Sequence, residues 1–187
     1  MRKKFLETDR IYLTEILEED TALLLDLDSD PDVMKHLTAG KPSTVKEIQA
    51  TMERILQVIN KYQYKFGFWL AYEKATNEFI GWFLFRPGKK TPDDVNTIEL
   101  GYRLKKKFWG KGYATEVSRE FLSLGFRDYQ VSTIFAITMK ANLASQNVMK
   151  KLGMKWVEDY IEEDFPGEDK SAVRFEIKRD QFQKMVR

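Results

Sequence analysis

The sequence predicts an α/β fold with a mixed, mostly antiparallel sheet and helices on both faces. Short runs rich in β-branched and aromatic residues alternate with segments whose apolar residues recur at helical spacing. In the clearest helical segment, Ile48, Met52, Ile55 and Ile59 follow one another at intervals of three or four residues. With 43% hydrophobic and 13% aromatic residues, the chain has enough apolar material for a substantial core.

Each element has a local signal. Asp20 and the pair Ser43–Thr44 are expected helix caps, and Gly153 an expected helix end. The predicted helices are 21–27, a turn or short helix from Pro31, 44–62, 113–127 and 142–152. The predicted strands are 11–17, 66–72, 78–85, 97–104, 131–139, 155–165 and 172–179.

The length and composition of the chain exclude several classes of protein and of site. We expect a single domain over 1–187, because no repeat, low-complexity tract or linker interrupts the chain. The net charge of +2 favours neither nucleic acid nor membrane as a partner. The absence of cysteine excludes disulfides and thiolate metal sites, and we expect no metal. The N-terminus lacks the apolar run of a signal peptide, so we expect a cytoplasmic protein.

The most informative segment joins the expected strand 97–104 to the expected helix 113–127. Between them lie Gly110, Lys111 and Gly112, and 103–111 contains five basic residues and no acidic one. Glycine lets a backbone approach a ligand closely, and a helix start presents unpaired N–H groups and a positive dipole end. This combination is typical of a diphosphate site, although a Gly-x-Gly between a strand and a helix can also be a simple turn.

Two motifs in order resemble one family. Lys107-Phe-Trp-Gly110-Lys-Gly112 is similar to the Arg/Gln-x-x-Gly-x-Gly/Ala motif of the GNAT acetyltransferases, with lysine at its first position. Downstream, Asn142-Leu-Ala-Ser145 and the following Lys-Leu-Gly153 resemble a second motif of that family. The subtype resembles the RimJ/RimL ribosomal-protein N-terminal acetyltransferases, and the resemblance covers nearly the whole chain.

The resemblance implies a GNAT-like splayed sheet and acetyl-CoA as co-substrate. It places the diphosphate on backbone N–H groups of the glycine turn and the pantetheine arm beside the end of the preceding strand. The cofactor-binding residues implied are Tyr102, Arg103, Leu104, Lys107, Trp109, Gly110, Lys111, Gly112, Tyr113, Ala114, Thr115, Asn142 and Asn147.

The resemblance also suggests two catalytic residues. Glu99 is the expected general base, since the family often has an acidic residue in this strand; a carboxylate paired with an arginine such as Arg86 is the alternative. Ser145 is the expected donor to the leaving sulfur, while Asn142 could also be a helix cap. Many relatives carry a tyrosine one turn after this serine, where this chain has Met149.

The predicted function is acetyl transfer from acetyl-CoA to a primary amine. The acceptor could be a protein N-terminal α-amine, as in the RimJ/RimL subtype, or a small molecule such as a polyamine or an aminoglycoside. An alternative from another class is a non-catalytic CoA-binding module, which Met149 keeps open. The expected partners are acetyl-CoA and the amine acceptor, with a homodimer left open.

Overall fold

The computed structural model describes residues 2–185. Its strands are β1 (Lys4–Glu7), β2 (Ile11–Glu15), β3 (Gly67–Glu73), β4 (Phe79–Pro87), β5 (Thr97–Leu104), β6 (Thr133–Met139), β7 (Lys155–Ile161) and β8 (Ser171–Lys178). Its helices are α1 (Thr21–Asp28), α2 (Pro31–Met34), α3 (Val45–Tyr62), α4 (Tyr113–Ser123), α5 (Leu143–Lys151) and α6 (Arg179–Met185).

The eight strands form one sheet in the order β1-β2-β3-β4-β5-β6-β8-β7. β5 and β6 are parallel, whereas β1–β2, β2–β3, β6–β8 and β7–β8 are antiparallel. The mixed, mostly antiparallel sheet predicted from the sequence is therefore confirmed.

The largest differences from the sequence-based expectation involve four elements. Strand β1 and helix α6 were not expected, because β1 has only four residues and α6 is mostly polar. Helix α4 ends at Ser123 and continues as a π-helical turn over Leu124–Asp128. Strand β7 ends at Ile161 rather than at 165, because the residues that follow are acidic and have low strand propensity.

The chain forms two compact units. The first comprises the described residues up to Leu84 together with Tyr102–Tyr113. Its core includes the apolar side of α3, which packs with residues of α1, β3 and β4. Helix α3 begins with a capping box, in which the Glu47 N–H donates to Thr44 Oγ1 at 3.3 Å and the Thr44 N–H to Glu47 Oε2 at 2.7 Å.

The second unit comprises Phe85–Gly101 and the described residues from Ala114 onward. Here the ladder between β5 and β6 covers three residue pairs and ends where Glu99 lies beside Phe135. β6 then continues to Met139 with its other edge paired to β8. Phe85 stacks on Phe121 of α4, with 5.1 Å between the ring centres. This unit carries the buried carboxylate of the candidate site.

Candidate active site

The glycine turn has the backbone geometry that a phosphate site requires. In the first unit, β5 is followed by a short 3-10 turn over Lys106–Phe108 and then by two glycines, Gly110 at φ +74° and Gly112 at φ +84°. A Cβ added to Gly110 would meet no described atom within 4 Å, so open space lies beside this backbone. Helix α4 begins directly afterwards at Tyr113. The turn therefore fits an anionic group bound by backbone N–H groups.

The lysines around the turn have different partners. The Lys106 ammonium lies 2.5 Å from Asp32, and Lys107 forms an ion pair with Glu78. Lys111 instead lies over the ring of Phe108, 4.9 Å from its centre, and forms no salt bridge within residues 2–185. Among these three lysines, Lys111 is the one whose charge is available to a bound anion.

The end of β5 is held within the first unit by its own side chains. The Arg103 guanidinium binds the carboxylate of Asp28 and lies over Trp82, 5.0 Å from the ring centre. Trp109 Nε1 donates to the carbonyl of Leu104 at 2.8 Å. Tyr102 packs near Phe83, with 5.8 Å between ring centres. The Arg103 side chain thus holds α1 to β5, and its contact with a co-substrate stays a prediction.

Glu99 is a buried carboxylate of the second unit. It is 9% exposed, and Arg86 Nη2 lies 3.0 Å from its Oε2. Burial raises the pKa of Glu99 because a charged carboxylate loses hydration, while the Arg86 charge opposes that rise. The pairing with Arg86, foreseen as the alternative to catalysis, is present. A paired, buried carboxylate with a raised pKa is also a competent base, so the two roles are compatible.

Charged and polar residues of β7 and β8, together with Glu162 just after β7, lie in the field of this carboxylate. Arg174 lowers the pKa of Glu99, and Glu162 raises it. Burial raises the pKa of Tyr160 to about 12, and its hydroxyl donates to Glu162 Oε2 at 3.5 Å. Tyr160 and Arg174 are not predicted from the sequence, because their proximity to Glu99 depends on long-range strand pairing that has no local signal.

Helix α5 carries the second motif. The Ser145 N–H donates to Asn142 Oδ1 at 3.1 Å, so Asn142 caps the helix. Ser145 is half-buried and Asn147 exposed, while Met149 is buried at 3% exposure. In the first turn of α4, Thr115 is buried and Ala114 half-buried. The first unit therefore holds the predicted cofactor residues from Tyr102 to Tyr113, and the second holds Glu99, Ser145, Asn142, Asn147, Ala114 and Thr115.

A protein-family model described as an acetyltransferase (GNAT) domain matches residues 10–155, which is most of the chain. This chain belongs to the GNAT acetyltransferase family. It is therefore an acetyl-CoA-dependent acetyltransferase by family, and both segments that resemble GNAT motifs lie within the matched region. The match ends at the start of β7, so most of β7 and all of β8 lie outside it.

Three proteins are similar to this chain over 82–96% of its length. The FsC-acetyl coenzyme A-N(2)-transacetylase of Aspergillus fumigatus is 32% identical over 187 residues, covering 96% of this chain and 78% of the relative. YkkB of Bacillus subtilis, an uncharacterized protein, is 33% identical over 156 residues, covering 82% of this chain and 87% of the relative. The structure of RimL, a ribosomal L7/L12 α-N-protein acetyltransferase bound to coenzyme A, superposes with a TM-score of 0.78 at 13% identity, covering 96% and 99% of the chains. That last likeness supports the fold alone.

Within residues 2–185, no helix combines the length and apolar character needed to cross a bilayer.

Proposed function

We propose that this GNAT protein acetylates a primary amine with Glu99 as the general base. The observation that carries the proposal is the burial of Glu99 beside Arg86, on the strand that leads into the glycine turn. A solvated carboxylate would suit this task less well, because its pKa would lie farther below that of an amine.

The task of Glu99 in this proposal is to remove a proton from the acceptor amine. An amine is mostly protonated near neutral pH, so the acceptor must lose a proton before its nitrogen can attack. The carboxylate takes that proton, directly or through water, and the raised pKa of Glu99 makes the transfer less unfavourable. Arg86, at 3.0 Å, opposes the rise in the pKa of Glu99 that burial causes, and it fixes the position of the carboxylate.

The glycine turn would hold acetyl-CoA. Its diphosphate would accept hydrogen bonds from the backbone N–H groups between Gly110 and Tyr113, and the Lys111 charge would attract it. Positive φ at both glycines and the open space beside Gly110 support this placement. The bound co-substrate supplies an acetyl group activated as a thioester.

The leaving sulfur needs a proton or a hydrogen bond once the new C–N bond forms and the C–S bond breaks. We propose Ser145 for this role, with water as the alternative. Ser145 lies in the first turn of α5, where the Asn142 cap fixes the backbone. The tyrosine used by many relatives has no counterpart here, because its position is held by the buried Met149.

For the acceptor we favour the amine of a small molecule over a protein N-terminus. The relative that is 32% identical across the chain is named for acetyl transfer to a nitrogen called N(2). The likeness to RimL is one of fold at 13% identity and carries no information on substrate. A cytoplasmic location, a single domain and a homodimer stay predictions.

The test is release of free CoA from acetyl-CoA in the presence of a panel of small amines and N-terminal peptides. The wild-type chain and Glu99→Gln are compared on the same panel. Amine-dependent release that Glu99→Gln reduces supports the proposal. Binding of acetyl-CoA without release for any amine would instead favour the non-catalytic CoA-binding module.

A further inference from the structure

One face of the sheet in the second unit gathers charged residues around Glu99. In the strand register, Glu99 lies beside Phe135, Phe135 lies opposite Glu176, and Ile137 lies opposite Arg174. Directly paired residues project to the same side of a sheet, and so do residues two apart along a strand. Glu99, Phe135, Arg174 and Glu176 therefore share one face, which we call the charged face.

The other side of these strands is the apolar side. Its residues on β6 and β8 are buried: Ile134, Ala136, Val173, Phe175 and Ile177. On the charged face, by contrast, Ile137 is 37% exposed, and the side chains of Arg174 and Glu176 are partly exposed. The charged face is thus accessible at Ile137, Arg174 and Glu176, whereas Glu99 and Phe135 on the same face are buried. The polar residues of this face are not explained by packing of the core.

Arg174 is fixed in position but makes little use of its hydrogen-bond donors. Its guanidinium lies over Phe135, 3.9 Å from the ring centre. The carboxylate of Glu176 is 3.6 Å away, too far for a hydrogen bond, and no hydrogen bond to the Arg174 guanidinium occurs within the part of the chain that the structure describes. A stacked guanidinium with open donors is suited to bind a carboxylate through two parallel hydrogen bonds.

Arg86 shows the contrasting situation. Its Nη2 lies 3.0 Å from Glu99 Oε2, and its Nη1 donates to the carbonyl of Pro87 at 2.8 Å. Arg86 therefore uses hydrogen-bond donors within the protein, whereas Arg174 has only the 3.6 Å ion pair with Glu176 and its stacking on Phe135, and no hydrogen bond of its guanidinium within the described residues. Both charges act on Glu99, so Arg174 is close enough to affect a group bound there.

We infer that Arg174 binds a carboxylate of the acceptor, which makes the acceptor a primary amine of the amino-acid class. The inference rests on the proposed function, in which Glu99 receives the amine. Strands β5 and β8 are separated by β6 alone, about 10 Å at the usual strand spacing, and two long side chains span most of that distance. One molecule carrying an amine and a carboxylate a few bonds apart can then contact both.

This arrangement selects against acceptors that carry only cations. A polyamine or an aminoglycoside would bring a further positive charge towards Arg174, where like charges repel. An amide or ester of an amino acid would leave the guanidinium without its ionic partner. By this inference, Arg174 sets the substrate preference of this chain.

The test compares matched acceptors: several amino acids, their amides and methyl esters, one polyamine and one aminoglycoside. Wild-type kcat/KM should be highest for the free carboxylates. Arg174→Met should lower that value by about ten- to hundredfold, as expected for a lost charged hydrogen bond, and should leave the amides unchanged. Arg174→Lys keeps the charge but not the paired donors, so its kcat/KM for free carboxylates should lie between those of the wild-type chain and Arg174→Met.

Lys178→Met is the matched control, because Lys178 lies on the same strand and the same face but is exposed. It should leave the preference for carboxylates unchanged. If Arg174→Met does not fold, as judged by its thermal melt, Arg174→Lys and the wild-type preference decide the question.

Two outcomes would overturn the inference while leaving the proposed function intact. In one, amides or esters react as fast as free carboxylates. In the other, amines without a carboxylate are the only acceptors. Failure of the wild-type chain to bind acetyl-CoA or to release CoA with any amine would count against the proposed function itself.

Discussion

Gly81 lies so close to the backbone of Arg103 that a Cβ at position 81 would overlap the Arg103 carbonyl oxygen and lie 2.8 Å from the Leu104 Cα. Gly81 also has φ +143°, a conformation that L-residues rarely adopt. This close approach of β4 to β5 fixes the strand that leads into the glycine turn. Glycine is therefore required at position 81, because the backbones of β4 and β5 lie too close together there to accommodate a Cβ.

The close approach predicts a large loss of stability in Gly81→Ala. The added methyl group meets backbone atoms that cannot rotate away, so overpacking of about 1–3 kcal/mol adds to the backbone strain. The matched control is Gly40→Ala, at φ +83° with its nearest atom at 3.5 Å, which should show strain alone, about 1–2 kcal/mol. Urea unfolding measures both values, and equal losses in the two variants would contradict the prediction.

Binding of acetyl-CoA should depend on Gly110. A valine there would fill the space beside the backbone, where the phosphate oxygens are expected, and would cost about tenfold or more in affinity if one charged hydrogen bond is lost. Gly40→Val has a similar positive φ and serves as the control for strain. Calorimetric titration with acetyl-CoA measures the affinities. Wild-type affinity in Gly110→Val would mean that the glycine turn does not bind the co-substrate.

Glu99→Gln should remove the acid limb of the pH–rate profile. In the wild-type chain, protonation of Glu99 abolishes the base, so kcat/KM falls as the pH drops through the raised pKa of this carboxyl. The amide cannot be protonated in this range, so the variant should be slower by about 10²–10⁴-fold on the plateau and should lack that limb. Glu120→Gln, an exposed carboxylate of α4, is the control. An unchanged limb in Glu99→Gln would assign the titration to another group.

Removing Arg86 should shift the acid limb of the pH–rate profile to higher pH. The Arg86 charge lowers the pKa of Glu99, so Arg86→Met should raise this pKa further and shift the acid limb to higher pH. Lys89→Met should shift it less, because Lys89 affects Glu99 more weakly. The measurement is kcat/KM against pH for the three proteins. A shift to lower pH in Arg86→Met would show that the limb does not report Glu99.

Two substitutions at Asn142 separate its cap from a role in binding. Asn142→Ala removes the acceptor for the Ser145 N–H and should cost about 0.5–2 kcal/mol of stability. Asn142→Asp keeps that acceptor but lacks the side-chain amide donor, so it should retain stability and lose affinity for acetyl-CoA. Thermal melts and titrations with acetyl-CoA measure the two effects. Unchanged affinity in Asn142→Asp would leave Asn142 as a helix cap only.

Local signals allowed much of the fold to be predicted. Helix α3 begins at the predicted cap because Thr44 and Glu47 form the capping box, an interaction between residues three apart. The glycine turn was found for the same reason, since strand, glycines and helix follow one another in the chain. Strand β1 was not predicted, because it has only four residues and because its place in the sheet depends on pairing with β2.

The surroundings of Glu99 could not be predicted in the same way. The residue itself was found from its place in a motif, and Arg86 was named as a partner. The stacking of Arg174 on Phe135, however, depends on the register of β6 with β8, which lie more than thirty residues apart in the chain. No periodicity within either strand encodes that register.

The β5–β6 ladder ends early, at Glu99 and Phe135. This early end brings the stability of the sheet into conflict with the need for an open strand edge. Within the described residues, Leu100 and Gly101 of β5 do not continue the ladder with Ala136 and Ile137. Backbone groups there need water or a ligand as hydrogen-bond partners. A mutation that extended the ladder would strengthen the sheet and remove the edge that the pantetheine arm is proposed to use. A protein in which this ladder was complete would be more stable but inactive. Substitutions that adapt the protein to higher temperature would therefore have to lie elsewhere, for example on the exposed side of α3.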